Sequence, residues 1–414
     1  MKSISLCFQV HHPFHFQTYR FLDIGSNKSY YDEQRNEREI IEAATNYYLP
    51  TNEFLLKLIS KSKGKLKLTF YISGTAIDQF LMYVPKVLNS FRQLADTGQV
   101  EFLGSTSSHS LISFTNRKTE LVNQIKDYKA KIGYYFEKKP HVFVNSDLMY
   151  SDLIGKDIYE SGYRAMITNG IRKMLTWQSP GYVYSNCLKQ EMHVYCRNEL
   201  ISNQLEDQLN KLISDESNIT INSFMAILHN HTKEEPVLNI FNDYKILGGL
   251  GIDKKHSFFK AFVTQVNKSN EMEFVFPSEI SERYGPVSVI KAYEPICWVN
   301  HFHSDYYPGN ELQTEAIKQL YLLGGLISEI DNINLQADWN YLQTSDHIHL
   351  MDDQHPEYHS DENSDCIYKT KYDAFINFMN ILDDFRLRLI KESKKNEKTS
   401  SQIKSQNTPV KRQN

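Results

Sequence analysis

Short apolar runs alternate with longer amphipathic stretches over the first two thirds of the chain, a pattern that predicts strands each followed by a helix. The strand candidates are ISLCFQV (4–10), KLTFYI (67–72), VEFLG (100–104), HVFVN (141–145), RAMIT (164–168), FMAILH (224–229), VLNIFN (237–242) and EFVFP (273–277). Several are apolar throughout, as parallel strands covered on both faces are. Helical spacing runs through 49–62, 80–98, 117–133 and 151–162. Such alternation implies an α/β protein whose βα units form a barrel or a doubly wound sheet. Beyond about residue 283 the periodicity is helical, over 311–331, 338–346 and 371–393, with no strong strand signal. The predicted division is therefore an α/β part over 1–282, a helical region over 283–393 packed on it, and a tail over 394–414.

Composition narrows this picture. A chain of 414 residues buries one large core with an accessory region to spare. The net charge of −4 argues against a nucleic-acid binder, which gathers a basic face. The last 24 residues carry seven Lys/Arg against two Glu and almost no apolar side chains, so disorder is expected there. Cys7, Cys187, Cys196, Cys297 and Cys366 are odd in number and form no CxxC pair, which fits reduced thiols in a cytoplasm. No run approaches the ~20 apolar residues that span a bilayer, so a soluble protein without membrane insertion is expected. The compositional surplus is aromatic: 26 Tyr, 23 Phe and 3 Trp. Most of these rings belong to a core, but Tyr outnumbers Phe and its hydroxyl needs water or a partner.

Candidate chemistry collects where apolar runs end, because βα barrels place their active sites at the carboxyl ends of the strands. Reading those ends in order gives His11-His12-Pro13, Ser105 to His109, Asn145 and Asp147, Asn169, His229 and His231, and Asp243. Two carboxylates stand out, Asp147 after HVFVN and Asp243 after VLNIFN.

At these same positions the chain resembles glycoside hydrolase family 57, in particular its α-amylase-type branch. CFQVHHPFHFQTYRFLDIG resembles the family's first motif, a strand running into His-Gln-Pro, here His11-His12-Pro13. GQVEFLGSTSSHSL resembles the second, usually Glu-Thr-Tyr-Tyr-His; His109 is kept, and Ser105, Ser107 and Ser108 stand where the acid and the two Tyr would be. VNSDLMYSDLIGKDIYESGYRAMITNG resembles the nucleophile motif, with Asp147 in place of the family's Glu. NIFNDYKILGG resembles the acid/base motif, with Asp243 kept and Lys245 where a Glu follows. WQSPGYVY (177–184), CWVNHFHSDYYPGNELQ (297–313) and LQTSDHIHLM (342–351) also look like family segments, in the right order.

The resemblance spans roughly residues 1–390 and implies an incomplete seven-stranded (β/α) barrel, of the kind shared with deacetylases, followed by a C-terminal helical domain. It implies a retaining glycosidase acting on α-1,4-glucans, with Asp147 as nucleophile, Asp243 as acid/base, and His11, His12, His109, Trp298, Asp346 and His347 as substrate-binding residues. The expected partner is an α-glucan or maltooligosaccharide, and neither cofactor nor metal is required. Two alternatives stand beside it. One is a catalytically silent glucan-binding or regulatory protein on the same scaffold. The other is a metal-dependent polysaccharide deacetylase, suggested by the His-x-His pairs 229/231, 301/303 and 347/349, since alternate residues of a strand share one face and could grip Zn²⁺.

Overall fold

The computed structural model describes residues 1–212, 221–231, 235–297, 309–352 and 367–406. They divide into two compact units, Met1–Pro13 with Glu33–Tyr307, and Phe14–Asp32 with Pro308–Asn414.

Among the described residues the first unit has ten strands: β1 (Lys2–Val10), β2 (Leu68–Ile72), β3 (Val100–Phe102), β4 (Val142–Val144), β5 (Ala165–Asn169), β6 (Val183–Asn186), β7 (His193–Arg197), β8 (Val237–Asp243), β9 (Met272–Phe274) and β10 (Ser288–Ile290). Seven run parallel in the succession β1, β2, β3, β4, β5, β7, β8, and β8 pairs with β1 over seven residues. Two seams are thin. β3 meets β4 at the bridge Gly104–Phe143, and β7 meets β8 at Arg197–Asn239. The arrangement is the incomplete (β/α) barrel type. β2, β3, β4 and β5 are buried along their whole length, which is why their sequences are largely apolar on both faces.

Four local readings change. The predicted helix 80–98 is two helices, Gly74–Tyr83 and Pro85–Asp96, because Pro85 holds Val84 out of the helical region (φ −140°, ψ 61°) and then opens the next helix. FMAILH is not a strand but the middle of a helix, Ile221–His231. Its buried residues Phe224, Met225 and Leu228 fall on one face at helical spacing, a distinction that a short apolar run leaves open. β6 and β7 are strands that the pattern missed, despite the Val and Tyr in each. β10 lies beyond residue 283, where only helices were expected; its three residues are too few to give a periodic signal.

Glu101 is the one buried carboxylate of β3. Its Oε2 accepts from Ser278 N (3.3 Å) and Ser278 Oγ (3.0 Å), and burial pushes its carboxyl up to about 7. A carboxyl whose pKa is raised on folding makes the folded state bind extra protons between its unfolded value near 4.5 and 7, so stability falls as pH rises through that window. Glu101→Gln, neutral at every pH, is expected to be more stable than the parent at pH 8 by up to about 3 kcal/mol and to show a flatter pH profile. Denaturant unfolding at pH 5 and pH 8 measures both; an equal loss for parent and variant over that range would refute it.

The second unit joins Phe14–Asp32 to the later helices Glu311–Leu322, Ile333–Leu342 and Lys371–Gln406. Aromatic rings account for this long-range pairing: Phe14 stacks on Tyr341 with centroids 4.0 Å apart, and Phe16 stacks on His347 at 3.8 Å. Asp384, fully buried, accepts from Tyr30 OH and Gly25 N, both at 2.6 Å, and lies 2.7 Å from Arg388 Nε. The last helix continues to Gln406, past the point where composition predicts a disordered tail. Lys and Glu propagate a helix that is already anchored. No described helix is long and apolar enough to cross a membrane.

Candidate active site

The carboxyl ends of the strands bring His11, His109, Asp147 and Asp243 into one neighbourhood. His11 follows β1 and its Nδ1 lies 2.8 Å from Ser73 Oγ, which also caps the helix after β2 by accepting from Ala76 N. His109, in the loop after β3, is buried in a left-handed conformation (φ 49°). The two imidazoles stack with centroids 3.9 Å apart. Tyr71 of β2 fixes His109 through a 2.6 Å bond between its hydroxyl and Nδ1.

On the other edge of His109, Nε2 lies 3.5 Å from Asp147 Oδ1. A tautomer with its proton on Nε2 suits both contacts, since Nδ1 then accepts from Tyr71 O–H while the Nε2 edge faces Asp147. Asp147 itself sits at φ 54°, with Leu148 at φ 51°, inside the turn Ser146–Leu148, and its side chain is 13% exposed. Two successive non-glycine residues in this region are strained, as backbone around a functional group commonly is.

Asp243 ends β8, and its Oδ1 accepts from Lys245 N at 2.7 Å. Burial raises its carboxyl above the ordinary value, while Lys245 and then His11 pull the other way. Desolvation outweighs the Lys245 charge, so a protonated Asp243 is favoured over that of an exposed Asp. His12 points into the same layer: its Nε2 lies 2.7 Å from Tyr48 OH, and Tyr48 stacks on Tyr244.

Several functional candidates escape the sequence reading. Arg197 ends β7 fully buried, donating from Nε to Phe241 O (2.8 Å) and from Nη2 to Asn203 Oδ1 (2.7 Å). Glu206 is half-buried near Asp243, and its carboxyl is raised by burial, with Arg197 opposing and Asp243 adding to the rise. Arg197 would have been legible as a polar strand end had β7 been recognised. Two aromatic rings also stand in solvent on loops at this end of the barrel. Trp177 follows β5 through the short helix Arg172–Leu175 and is 89% exposed, next to Thr176 at φ 56°, ψ −101°. Tyr293, 78% exposed, belongs to a segment held against the Asp147 loop by Tyr150 N donating to Ile296 O and Asp152 N to Ala292 O, both at 2.9 Å.

Other predicted residues belong to other elements or fall outside the described residues. Asp346 and His347 are in the second unit, on the short helix Asp346–His349; His347 is buried, stacked on Phe16, with Nε2 3.1 Å from Tyr341 O. Trp298 and the pair His301/His303 lie outside the described residues. His229 is on a helix rather than at a strand end, with Nδ1 3.5 Å from Glu271 Oε2. Residues two apart on a helix do not share a face as alternate residues of a strand do, so the strand argument for a paired grip does not apply at positions 229 and 231.

Two carboxylates at the carboxyl-terminal end of a (β/α) barrel, flanking a pair of stacked imidazoles, are a layout of the glycosidase type. The chain belongs to Glycosyl hydrolase family 57, whose profile matches residues 5–293. A Methanocaldococcus jannaschii protein named "Putative alpha-amylase" is 28% identical over 403 residues, covering 92% of this chain and 84% of that protein. Among solved structures the fold matches the α-amylase AmyC from Thermotoga maritima (TM-score 0.59, 13% identity, 95% of this chain and 97% of that one). It also matches a branching enzyme of the same family from Thermococcus kodakaraensis (0.63, 12%, 84% and 86%). The 4-alpha-glucanotransferase from Thermococcus litoralis matches too (0.62, 12%), covering 84% of this chain but 56% of that enzyme.

Proposed function

We propose that this protein cleaves or transfers α-glucan chains, with Asp147 as nucleophile and Asp243 as acid/base. The observation that carries the reading is the line Asp147, His109, His11, Asp243, in which two carboxylates of unlike environment flank a stacked imidazole pair. Unlike environments separate the two roles. Asp147 lies against the edge of the His109 ring, whereas burial favours the acid form of Asp243. Asp147 Oδ attacks the anomeric carbon as Asp243 gives its proton to the departing glycosidic oxygen. Asp243, now ionised, then takes a proton from the water or sugar hydroxyl that displaces Asp147. That the family relatives named above include an amylase, a branching enzyme and a glucanotransferase supports an α-glucan as the substrate class.

The test is release of reducing ends, or chain redistribution, from maltooligosaccharides, with binding followed in parallel. Turnover that disappears in Asp147→Asn while binding persists supports the reading. Binding without turnover in the parent protein overturns it in favour of a silent glucan binder. That second reading is favoured by one feature: the Ser105 and Ser107 hydroxyls, in the loop that carries His109, are buried and find no hydrogen-bond partner among the described residues.

Trp177 supplies a second check. An exposed ring at this face suits stacking against the C–H face of a pyranose, worth about 1 kcal/mol. Trp177→Ala is expected to raise KM about fivefold with kcat within twofold. Tyr134→Ala, also largely exposed but on the helix Lys118–Phe136, serves as control and should change neither. Indistinguishable kinetics for the two variants would remove Trp177 from the site.

A further inference from the structure

A cavity of about 430 Å³ opens at the opposite end of the barrel, where β4 and β5 begin. His141 immediately precedes β4 and Arg164 immediately precedes β5, and both line it together with Lys129 and Lys139. Within a chain of net charge −4, this wall gathers three permanent cations and a histidine against a single carboxylate, Glu282. Among the described residues none of these cations forms an ion pair, in contrast to Lys131 on the same helix as Lys129, which lies 2.7 Å from Asp78. Like charges left together without counter-ions repel one another, so the arrangement favours an anion brought from solution.

Arg164 is held in place for such a task. Its guanidinium stacks over Tyr159, 4.1 Å from the ring centroid, and Nη1 donates to Tyr159 O (3.4 Å) and Tyr163 O (3.1 Å). Lys189 approaches the same ring at 5.1 Å and adds positive charge nearby. Nε and Nη2 have no protein acceptor among the described residues, and together they form the planar fork that matches two oxygens of a phosphoryl group. Ser278 and Ser281 also line the cavity; Ser281 Oγ is bonded to His193 Nδ1 (2.9 Å) and to Tyr195 OH. The volume exceeds what a bare phosphate fills and lies in the range of small-molecule sites.

We propose that this cavity binds a phosphate monoester dianion, with Arg164 as the bidentate contact and Lys129, Lys139 and His141 around it. The site lies at the far end of the strands from Asp147 and Asp243, and its occupancy does not depend on the glucan reading.

The experiment is calorimetric titration of the full chain with inorganic phosphate and, separately, with glucose 6-phosphate, without glucan and at low and high salt. Saturable one-to-one binding of either probe is expected, weakened at least tenfold by Arg164→Ala and severalfold by Lys139→Ala, and reduced by salt. Lys86→Ala, on the helix Pro85–Asp96 outside the cavity, should bind like the parent. Tighter binding of the sugar phosphate identifies it as the fitting ligand, and equal binding assigns the site to the phosphoryl group alone. No saturable binding of either probe at millimolar concentration overturns the proposal, as does binding that survives both Arg164→Ala and Lys139→Ala. Because Lys139 is exposed, its variant keeps the test independent of any folding defect from losing the Arg164 stack.

Discussion

Asp243→Asn is expected to cut the rate of glucan turnover by about 10²–10⁴-fold while oligosaccharide affinity changes little, the usual consequence of removing a general acid. The amide keeps the oxygen that accepts from Lys245 N, so the turn Tyr244–Leu247 stays capped and the variant should fold. What it loses is the proton. In the parent, burial raises the Asp243 carboxyl, so the acid form persists to higher pH than in an exposed Asp, and the rate should fall as pH rises through that value. The variant should lose this alkaline limb along with the rate. A leaving group acidic enough to depart unaided, such as a nitrophenyl maltooligoside, should restore part of the first step. Full activity of Asp243→Asn on natural glucans would exclude the acid/base role.

The second large effect lies in the helical unit. Arg388→Met is expected to destabilise it by about 3 kcal/mol, lowering its unfolding midpoint by roughly 10 °C. Arg388 Nε lies 2.7 Å from Asp384 Oδ2, Nη1 lies 3.6 Å from Asp338 Oδ2, and the guanidinium sits 4.3 Å over the Tyr30 ring. Removing the cation leaves Asp384 buried against neutral donors such as Tyr30 OH and Gly25 N. It also leaves Asp338, whose carboxyl burial already pushes up to about 6, without its main counter-charge. Adding Asp384→Asn to Arg388→Met should recover part of the loss, because a neutral amide still accepts from Tyr30 and Gly25. Thermal unfolding of the single and double variants measures both numbers, and a loss below about 1 kcal/mol would show that the pair is solvated.

Much of the barrel could be read from the chain because buried parallel strands must be apolar on both faces. Asp147 and Asp243 were visible for the complementary reason: a charged residue follows each apolar run, two places beyond HVFVN and directly after VLNIFN. The same logic failed where the run was short. FMAILH fits a strand and a buried helical face equally well, and only its packing decides, which moved His229 from a strand end to a helix. Pro85 was a legible break that the periodicity on either side of it masked.

The sequence by itself determined the α/β class, most of the strands and the two carboxylates after apolar runs, since each of these follows from composition or from neighbours a few residues apart; the family was legible only through the resemblance of its ordered motifs. Only the tertiary structure decided that His11 stacks on His109, that Tyr71 orients that ring toward Asp147, and that Phe14–Asp32 joins helices some three hundred residues later. It alone showed Trp177 and Tyr293 in solvent, and four basic side chains around one cavity. The physical reason is common to all of these. They depend on distances between residues far apart in the chain and on which face of an element water reaches, and neither quantity is encoded in local periodicity.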